Sequence, residues 1–305
     1  MSSHQDCVIA LGNFDGLHYG HQALMEELQL MKEASGCEAA VLMFTTHTSE
    51  VTKQRRQSLI QSNRQKERAL ESMGIDVIYE VPFTKELMAM EPEVFLKELL
   101  LEKLQVRGIV VGFNYRFGHK ARGNTDLLRE LQKEENYLLT VVDPVRLDGR
   151  EVSSTRIRGL IEEGRIRQAN TLLGRPFAIE GEIVHGKHLG SKLGVPTANM
   201  KFDTNYVHPR FGVYLGRFTV EGKSYYSATN IGTNPTFKEQ GIKVESYLLD
   251  FEGDIYGKWA ELELLEFLRP ELAFDSVEEL IIQMNRDIER AESIVVNCKN
   301  MANKI

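Results

Sequence analysis

Through the first half of the chain, short apolar runs alternate with segments whose apolar residues recur at helical spacing, the pattern of an α/β fold. The runs Cys7 to Leu11, Ala39 to Phe44, Val77 to Val81, Gly108 to Val111 and Tyr137 to Val142 are predicted strands. Between them Leu24, Leu28 and Met31 stand at helical intervals, and Phe95, Leu99 and Leu100 follow Pro92, a residue suited to a first helical turn. Strands that are apolar throughout and linked by helices predict a mostly parallel sheet with helices over it.

After Gly174 the pattern changes to β-rich segments punctuated by Gly, Asn and Pro: IEGEIVHG, FGVYLGRFTVEGKSYYSATNIG, IKVESYLLDF and KWAELELLEFL. These predict an antiparallel sheet or small barrel. One long helix closes the chain. Ser276 and Glu279 are spaced as a capping box, and Leu280, Met284, Ile288, Ala291 and Val295 form an apolar stripe for packing. Two short helical patterns join the halves, Thr155 to Glu163 and Ile166 to Leu173, stopped by Gly164 and Gly174. The division expected is 1–174 and 175–305, with no internal repeat.

A length of 305 residues fits two domains, each able to bury its own core. Hydrophobic residues make up 42% and charged residues 27%, a globular balance. The net charge of -7 comes without any block of like charges, so no footprint for nucleic acid is expected and any anion must be held locally. Cys7, Cys37 and Cys298 show neither a disulfide framework nor CxxC spacing, which fits a reducing cytoplasm. The start of the chain lacks a basic segment, and its apolar run is too short for a signal peptide or membrane span.

Candidate chemistry gathers in two blocks. In the first, LGNFDGLHYGH, the strand ending at Leu11 feeds the turn Gly12, Asn13, Phe14, Asp15, Gly16, and a helical pattern begins near His18. Free N–H groups at a helix start attract phosphate, and His18 and His21, three apart, share one face there. On spacing alone this is a phosphate site, a plain turn with a surface HxxH, or half of a zinc site lacking a third ligand nearby. This block has neither GK[ST] nor GxGxxG, so it is neither a P-loop nor a dinucleotide fingerprint.

The block resembles the GxFDGxHxGH motif of the nucleotidyltransferase superfamily, and that resemblance implies that the two histidines contact ATP phosphates. The superfamily's later ISSTxxR motif is matched by SSTRIR, with Ser153, Ser154, Thr155 and Arg158. A hydroxyl at a helix start followed by Arg one turn on suits an oligophosphate; alone, it would be an ordinary helix cap. VVGFNYRFGHKARGN resembles the VGxDFRFG segment of the flavin adenylyltransferase branch. The resemblance implies flavin contacts at Asn114 and Arg116, with Lys120 and Arg122 in the same basic turn.

The second block, HGKHLGSKLGVPTANM, joins a Gly-spaced basic loop to Pro, Thr and Asn. Thr197 and Asn199, two apart on an extended chain, face one side and can reach one Mg²⁺ or its phosphate; a polar hairpin loop is the plainer alternative. PTAN resembles the riboflavin kinase motif, and the similarity continues through PRFGVYLGRF, NIGTNPTF, VESYLLDFEGDIYGK and LRPELAF. From Leu11 to the last helix the chain is therefore identified as resembling the bacterial bifunctional riboflavin kinase and FAD synthetase family.

That resemblance implies ATP contacts at Gly186, Lys187, Gly190, Lys192, Thr197 and Asn199, Mg²⁺ at Thr197 and Asn199, and Glu245 as the kinase base. It also implies a flavin contact at His47. The substrates implied are riboflavin, FMN and ATP. The chain departs from the family pattern in three places: FTTHTSE keeps His47 without its two prolines, Ser191 and Lys192 stand where Arg is usual, and Tyr247 replaces a common His. These departures leave two alternatives to set beside two working active sites. One is a FAD synthetase with an impaired kinase module, and the other is a non-catalytic flavin-binding relative.

Overall fold

The five strands predicted for the first half pair into one sheet. A computed structural model describes residues 6–44, 58–186, 196–203, 205–233 and 242–302. Contacts divide the chain into two units, Met1–Ser154 and Thr155–Ile305.

In the first unit, β1 (Cys7–Leu11), β2 (Glu38–Phe44), β3 (Val77–Val81), β4 (Val106–Gly112) and β5 (Leu138–Val142) lie in the order β3-β2-β1-β4-β5. Every neighbouring pair is parallel. β1 is buried along its whole length, and its period of two divides it between two cores. Ile9 and Leu11 face one layer with Phe95, Leu96 and Leu100. Val8 and Ala10 face the other, where α1 (Tyr19–Ser35) contributes Leu24, Met25, Leu28 and Met31. Gly108 lets α1 approach this closely, because a Cβ there would collide with the Met31 sulfur.

The α-helices that follow among the described residues of this unit are α2 (Asn63–Ser72), α3 (Lys85–Ala89), α4 (Pro92–Val94) and α5 (Thr125–Leu131). Ser62 and Gln65 close a reciprocal capping box on α2. Pro92 opens its helix as expected, but the turns that follow, Phe95–Lys103, are wound as a π-helix, which spacing alone did not indicate. A two-residue ribbon, β6 (Arg146–Leu147) with β7 (Arg150–Glu151), was likewise not foreseen.

The second unit begins with α6 (Ser154–Glu162), whose first residue belongs to the first unit, and α7 (Ile166–Leu173). Gly164 and Gly174 follow them with φ of 76° and 73°, the left-handed stops their positions predicted. A closed barrel comes next, built from β8 (Phe177–Val184), β9 (Ala198–Lys201), β10 (Gly212–Val220), β11 (Lys223–Thr233), β12 (Ile242–Leu248) and β13 (Trp259–Pro270). The strand order is β10-β11-β12-β9-β8-β13, with all neighbours antiparallel. Asn170 fixes α7 to the wall: its amide donates to Leu264 O at 2.9 Å and accepts from Phe177 N–H at 2.7 Å.

Tyr214, Phe218, Ile231, Val244, Leu262 and Leu264 are fully buried in the barrel. So are Ser227, Thr229 and Ser246, whose hydroxyls bond to one another at 3.0 and 2.9 Å and thereby satisfy their polarity without water. The closing helix, α8 (Val277–Ala302), lays Ile288, Ala291 and Val295 of the predicted stripe over Val213, Leu215, Ala228 and Leu268, while Leu280 and Met284 of that stripe are half-buried outside this cluster. At its start Ser276 Oγ accepts from Glu279 N–H at 3.2 Å, while the Glu279 carboxylate accepts from Asp275 N–H and not from Ser276. No described helix is long and apolar enough to cross a membrane.

Candidate active sites

The first site stands at the carboxyl ends of β1 and β4. These strands are neighbours, with Leu11 opposite Val111, and the chain leaves them in opposite directions along the sheet. Open parallel sheets bind ligands at such a switch point, because the two loops part and leave a crevice. The loop after β1 carries Gly12 to Gly16, and the loop after β4 carries Asn114 and Arg116, both exposed.

The first loop is tightly shaped. Phe14, Gly16 and Leu17 adopt φ of 46°, 91° and 38°, while the side chains of Phe14 and Leu17 are wholly buried. Burial of these two side chains offsets the cost of left-handed backbone at non-glycine positions. Gly12 faces the Phe14 ring, 3.0 Å from where a Cβ would stand, and Asn13 is exposed. Asp15 does not face outward. It is 1% exposed, and its carboxylate accepts from Ile60 N–H at 2.9 Å and Gln61 N–H at 3.3 Å. Ser154 Oγ donates to the Asp15 carbonyl at 2.8 Å, so two distant segments of the first unit grip this residue.

Lys66 on α2 is buried as well. Burial lowers its pKa from 10.5, while the negative charge of Asp15 acts in the opposite direction. Sequence reasoning missed this lysine. A charged residue within an amphipathic helix reads as solvent-facing, and only the fold brings it to Asp15.

His18 caps α1 with extended backbone (φ -69°, ψ 172°), and its carbonyl accepts from His21 N–H and Gln22 N–H. The His18 and His21 rings stack at 3.9 Å between centroids and 16° between planes, and Phe14 meets His21 edge-on at 5.4 Å. Gly20 permits the stack to lie against the first turn: a Cβ there would be 3.1 Å from His18 Cε1. The structure thus sets two stacked imidazoles at the start of α1. Thr155 and the buried Arg158 continue along α6, within the second unit.

The second site lies on the outer wall of the barrel. Along β12, Val244, Ser246 and Leu248 point inward, so Lys243, Glu245 and Tyr247 point outward. The register sets Glu245 directly opposite Asn199 of β9 on one side and Asn230 of β11 on the other. Asn199 also faces outward, and Thr197, two residues earlier, precedes β9. The amide of Asn199 reaches the Thr197 carbonyl at 3.5 Å, and a Cβ on Gly186 would collide with that amide. Lys243 Nζ is 2.6 Å from Glu245 Oε1. Sequence reasoning singled out neither Asn230 nor Lys243; the period of two places Lys243 on the face of Glu245, whereas Asn230 is visible only through register.

The structure thus brings Gly12, Asn13, Phe14, Asp15, Gly16, His18, His21 and Ser154 together, and it separately brings Gly186, Thr197, Asn199 and Glu245 together. Arg122 and His119 of the basic turn are engaged by the Glu91 carboxylate. His47, Lys187, Gly190, Ser191 and Lys192 lie outside the described residues. Among the described residues no three His, Cys, Asp or Glu side chains cluster as a metal site. The second site offers instead a hydroxyl and an amide oxygen, hard donors suited to a divalent ion whose other ligands come from phosphate and water.

Comparison with known proteins gives two adjoining matches. Residues 1–156 match the family model of FAD synthetase, and residues 173–295 match that of riboflavin kinase. A bifunctional riboflavin kinase/FMN adenylyltransferase of Listeria monocytogenes is 37% identical over 92% of this chain and 90% of its own. The protein of the same name in Escherichia coli is 33% identical over 93% and 91%. A solved structure described as a macrolide-efflux protein from Streptococcus pneumoniae superposes with a TM-score of 0.87 at 28% identity, covering 96% of this chain and 95% of its own.

Proposed function

The chain belongs to the bifunctional riboflavin kinase/FMN adenylyltransferase family, and from that premise we propose that its two sites carry out successive steps of flavin cofactor synthesis. The barrel phosphorylates riboflavin to FMN with ATP, and the parallel-sheet unit joins FMN to AMP from ATP and releases pyrophosphate. What supports this reading is that each family model falls on a separate compact unit. We assign 1–174 to the adenylyltransferase module, connecting helices included, and 175–305 to the kinase module.

In the kinase, Glu245 takes the proton of the riboflavin 5′-hydroxyl as that oxygen bonds to the γ-phosphorus and the bond to ADP breaks. Thr197 and Asn199 hold the divalent ion, assigned as Mg²⁺, which neutralises phosphate charge when bound. Gly186, with Lys187, Gly190 and Lys192, belongs to the loop assigned to ATP.

In the adenylyltransferase the nucleophile is already a phosphate anion, so no strong base is needed. His18, His21 and the N–H groups of the loop hold ATP oxygens and stabilise charge, while Asp15 keeps the loop in shape. Asn114 and Arg116, from the neighbouring strand end, are assigned to FMN together with His47. The free Cys7 and Cys37 thiols support a place in the reducing cytoplasm.

The test is a product assay by liquid chromatography, with MgATP and riboflavin in one tube and MgATP and FMN in another. FMN and FAD from the first and FAD from the second are expected. FAD from the second alone would leave a FAD synthetase with an impaired kinase, and no product from either would leave a flavin-binding relative.

A further inference from the structure

The base assigned to the kinase is already engaged. Lys243 Nζ lies 2.6 Å from Glu245 Oε1, and both side chains are partly exposed on the outer face of β12. Their strand neighbours do not compete for the contact. Across β9, Lys243 faces Lys201, a like charge that repels it, and Glu245 faces the neutral Asn199. Across β11, Lys243 faces Gly232 and Glu245 faces the neutral Asn230. The Glu271 carboxylate lies against Gly232, at the place a side chain there would fill. Tyr247 follows on the same face, opposite Ala228. The Lys243 ammonium is thus paired with the proposed base, whose strand partner is the Asn199 proposed to hold the metal, while Lys243 itself has a like charge, Lys201, as its own strand partner.

We propose that Lys243 is a further charge-supplying residue of the phosphoryl transfer, acting through an exchange of partners. Before the reaction its ammonium pairs with the Glu245 carboxylate and aims it along the outer wall. As Glu245 takes the 5′-hydroxyl proton, the carboxyl becomes neutral and the ammonium loses its counter-ion. In the same step the hydroxyl oxygen donates an electron pair to the γ-phosphorus, and the bond to the ADP oxygen breaks with its electrons. Negative charge now lies on the moving phosphoryl group and on ADP, and the ammonium turns to the phosphoryl oxygens. An interaction that strengthens only as the proton leaves the hydroxyl raises kcat and leaves ground-state binding alone. The inference rests on the reading of Glu245 as the base.

The experiment uses the full chain, whose FMN adenylylation reports that the protein is folded. Lys243→Met is expected to lower kcat for riboflavin phosphorylation on the order of tenfold to a hundredfold, with KM for riboflavin and MgATP within about twofold and FAD formation from FMN unchanged. Lys243→Arg, which keeps the charge, should recover most of kcat. An unchanged kcat in Lys243→Met, or a rise in KM alone, would overturn the exchange. Glu245→Gln separates the two readings: full kinase activity there removes the base itself, whereas its loss beside an active Lys243→Met leaves the base standing and removes only Lys243.

Discussion

Asp15 and Lys66, buried at 1% and 4% exposure, act on each other across the loop and α2 of the first unit. The buried Asp15 carboxylate draws on the positive charge of Lys66, and a buried charge that loses such an attraction is destabilised. Lys66→Met should therefore destabilise the parallel-sheet unit in urea unfolding and depress FMN adenylylation, while riboflavin phosphorylation persists. The pH dependence follows from burial, which lowers the folded-state pKa of Lys66 below 10.5. Between the folded value and 10.5 the unfolded chain holds more protons, so this group's contribution makes the fold more stable as pH rises through that interval. Wild type should show that rise and Lys66→Met should lose it; matching pH profiles would remove Lys66 from the argument.

A methyl group on Gly20 would press on His18 Cε1 at 3.1 Å and spoil its stack with His21. Gly20→Ala should slow FMN adenylylation about tenfold, equivalent to ~1.4 kcal/mol of barrier, and leave the kinase untouched. His21→Ala should lose more, and a wild-type FAD yield from that variant would dismiss His21 from the reaction.

Gly186→Ala makes the complementary change in the barrel, because its Cβ would collide with the Asn199 amide. Steady-state kinetics should show a raised KM for MgATP and a fall in kcat for riboflavin phosphorylation. Adenylylation serves as the internal control, and unaltered kinase kinetics would mean that Asn199 needs no such fixed position.

Helix α8 is tied to the barrel by charge as well as by its apolar stripe. Arg269 Nε and Nη2 clasp the Asp287 carboxylate at 2.9 and 2.6 Å, Gln283 donates to it at 3.0 Å, and Arg290 reaches Leu268 O at 2.8 Å. Asp287→Ala strands a guanidinium that is mostly buried, at an expected cost of about 3 kcal/mol. Protease digestion should then cut within α8 before the barrel yields, and simultaneous cleavage of both would show that the clasp is dispensable.

The strands of the parallel sheet were legible because each is a bounded apolar run, and Cys7–Leu11 and Val77–Val81 end where the pattern ends. β9 was not, since Ala-Asn-Met-Lys is too short and too mixed to stand out beside the Gly-rich loop before it. The helix start near His18 was visible from the helical pattern after the turn and that at Ser276 from its capping chemistry, although the return bond from Glu279 lands one residue early. Asp15 was readable only as part of a phosphate loop. Its clamp on Ile60 and Gln61 joins segments 45 and 46 positions apart, a separation that no local pattern encodes. The pairing of Asn199 with Glu245 is likewise a fact of register, set by the closing of the barrel.

That closing keeps interior and exterior apart. Tyr214, Phe218 and the Ser227–Thr229–Ser246 hydroxyl chain occupy the inside of the barrel, while Asn230 of β11 and Lys243 and Glu245 of β12 look the other way from strands that also carry that hydroxyl chain. Successive residues therefore serve separate masters, one durability and the next chemistry. Natural variation or laboratory selection can rework substrate choice on the outer positions without disturbing the inner ones, and can tune heat tolerance from within without retuning the reaction.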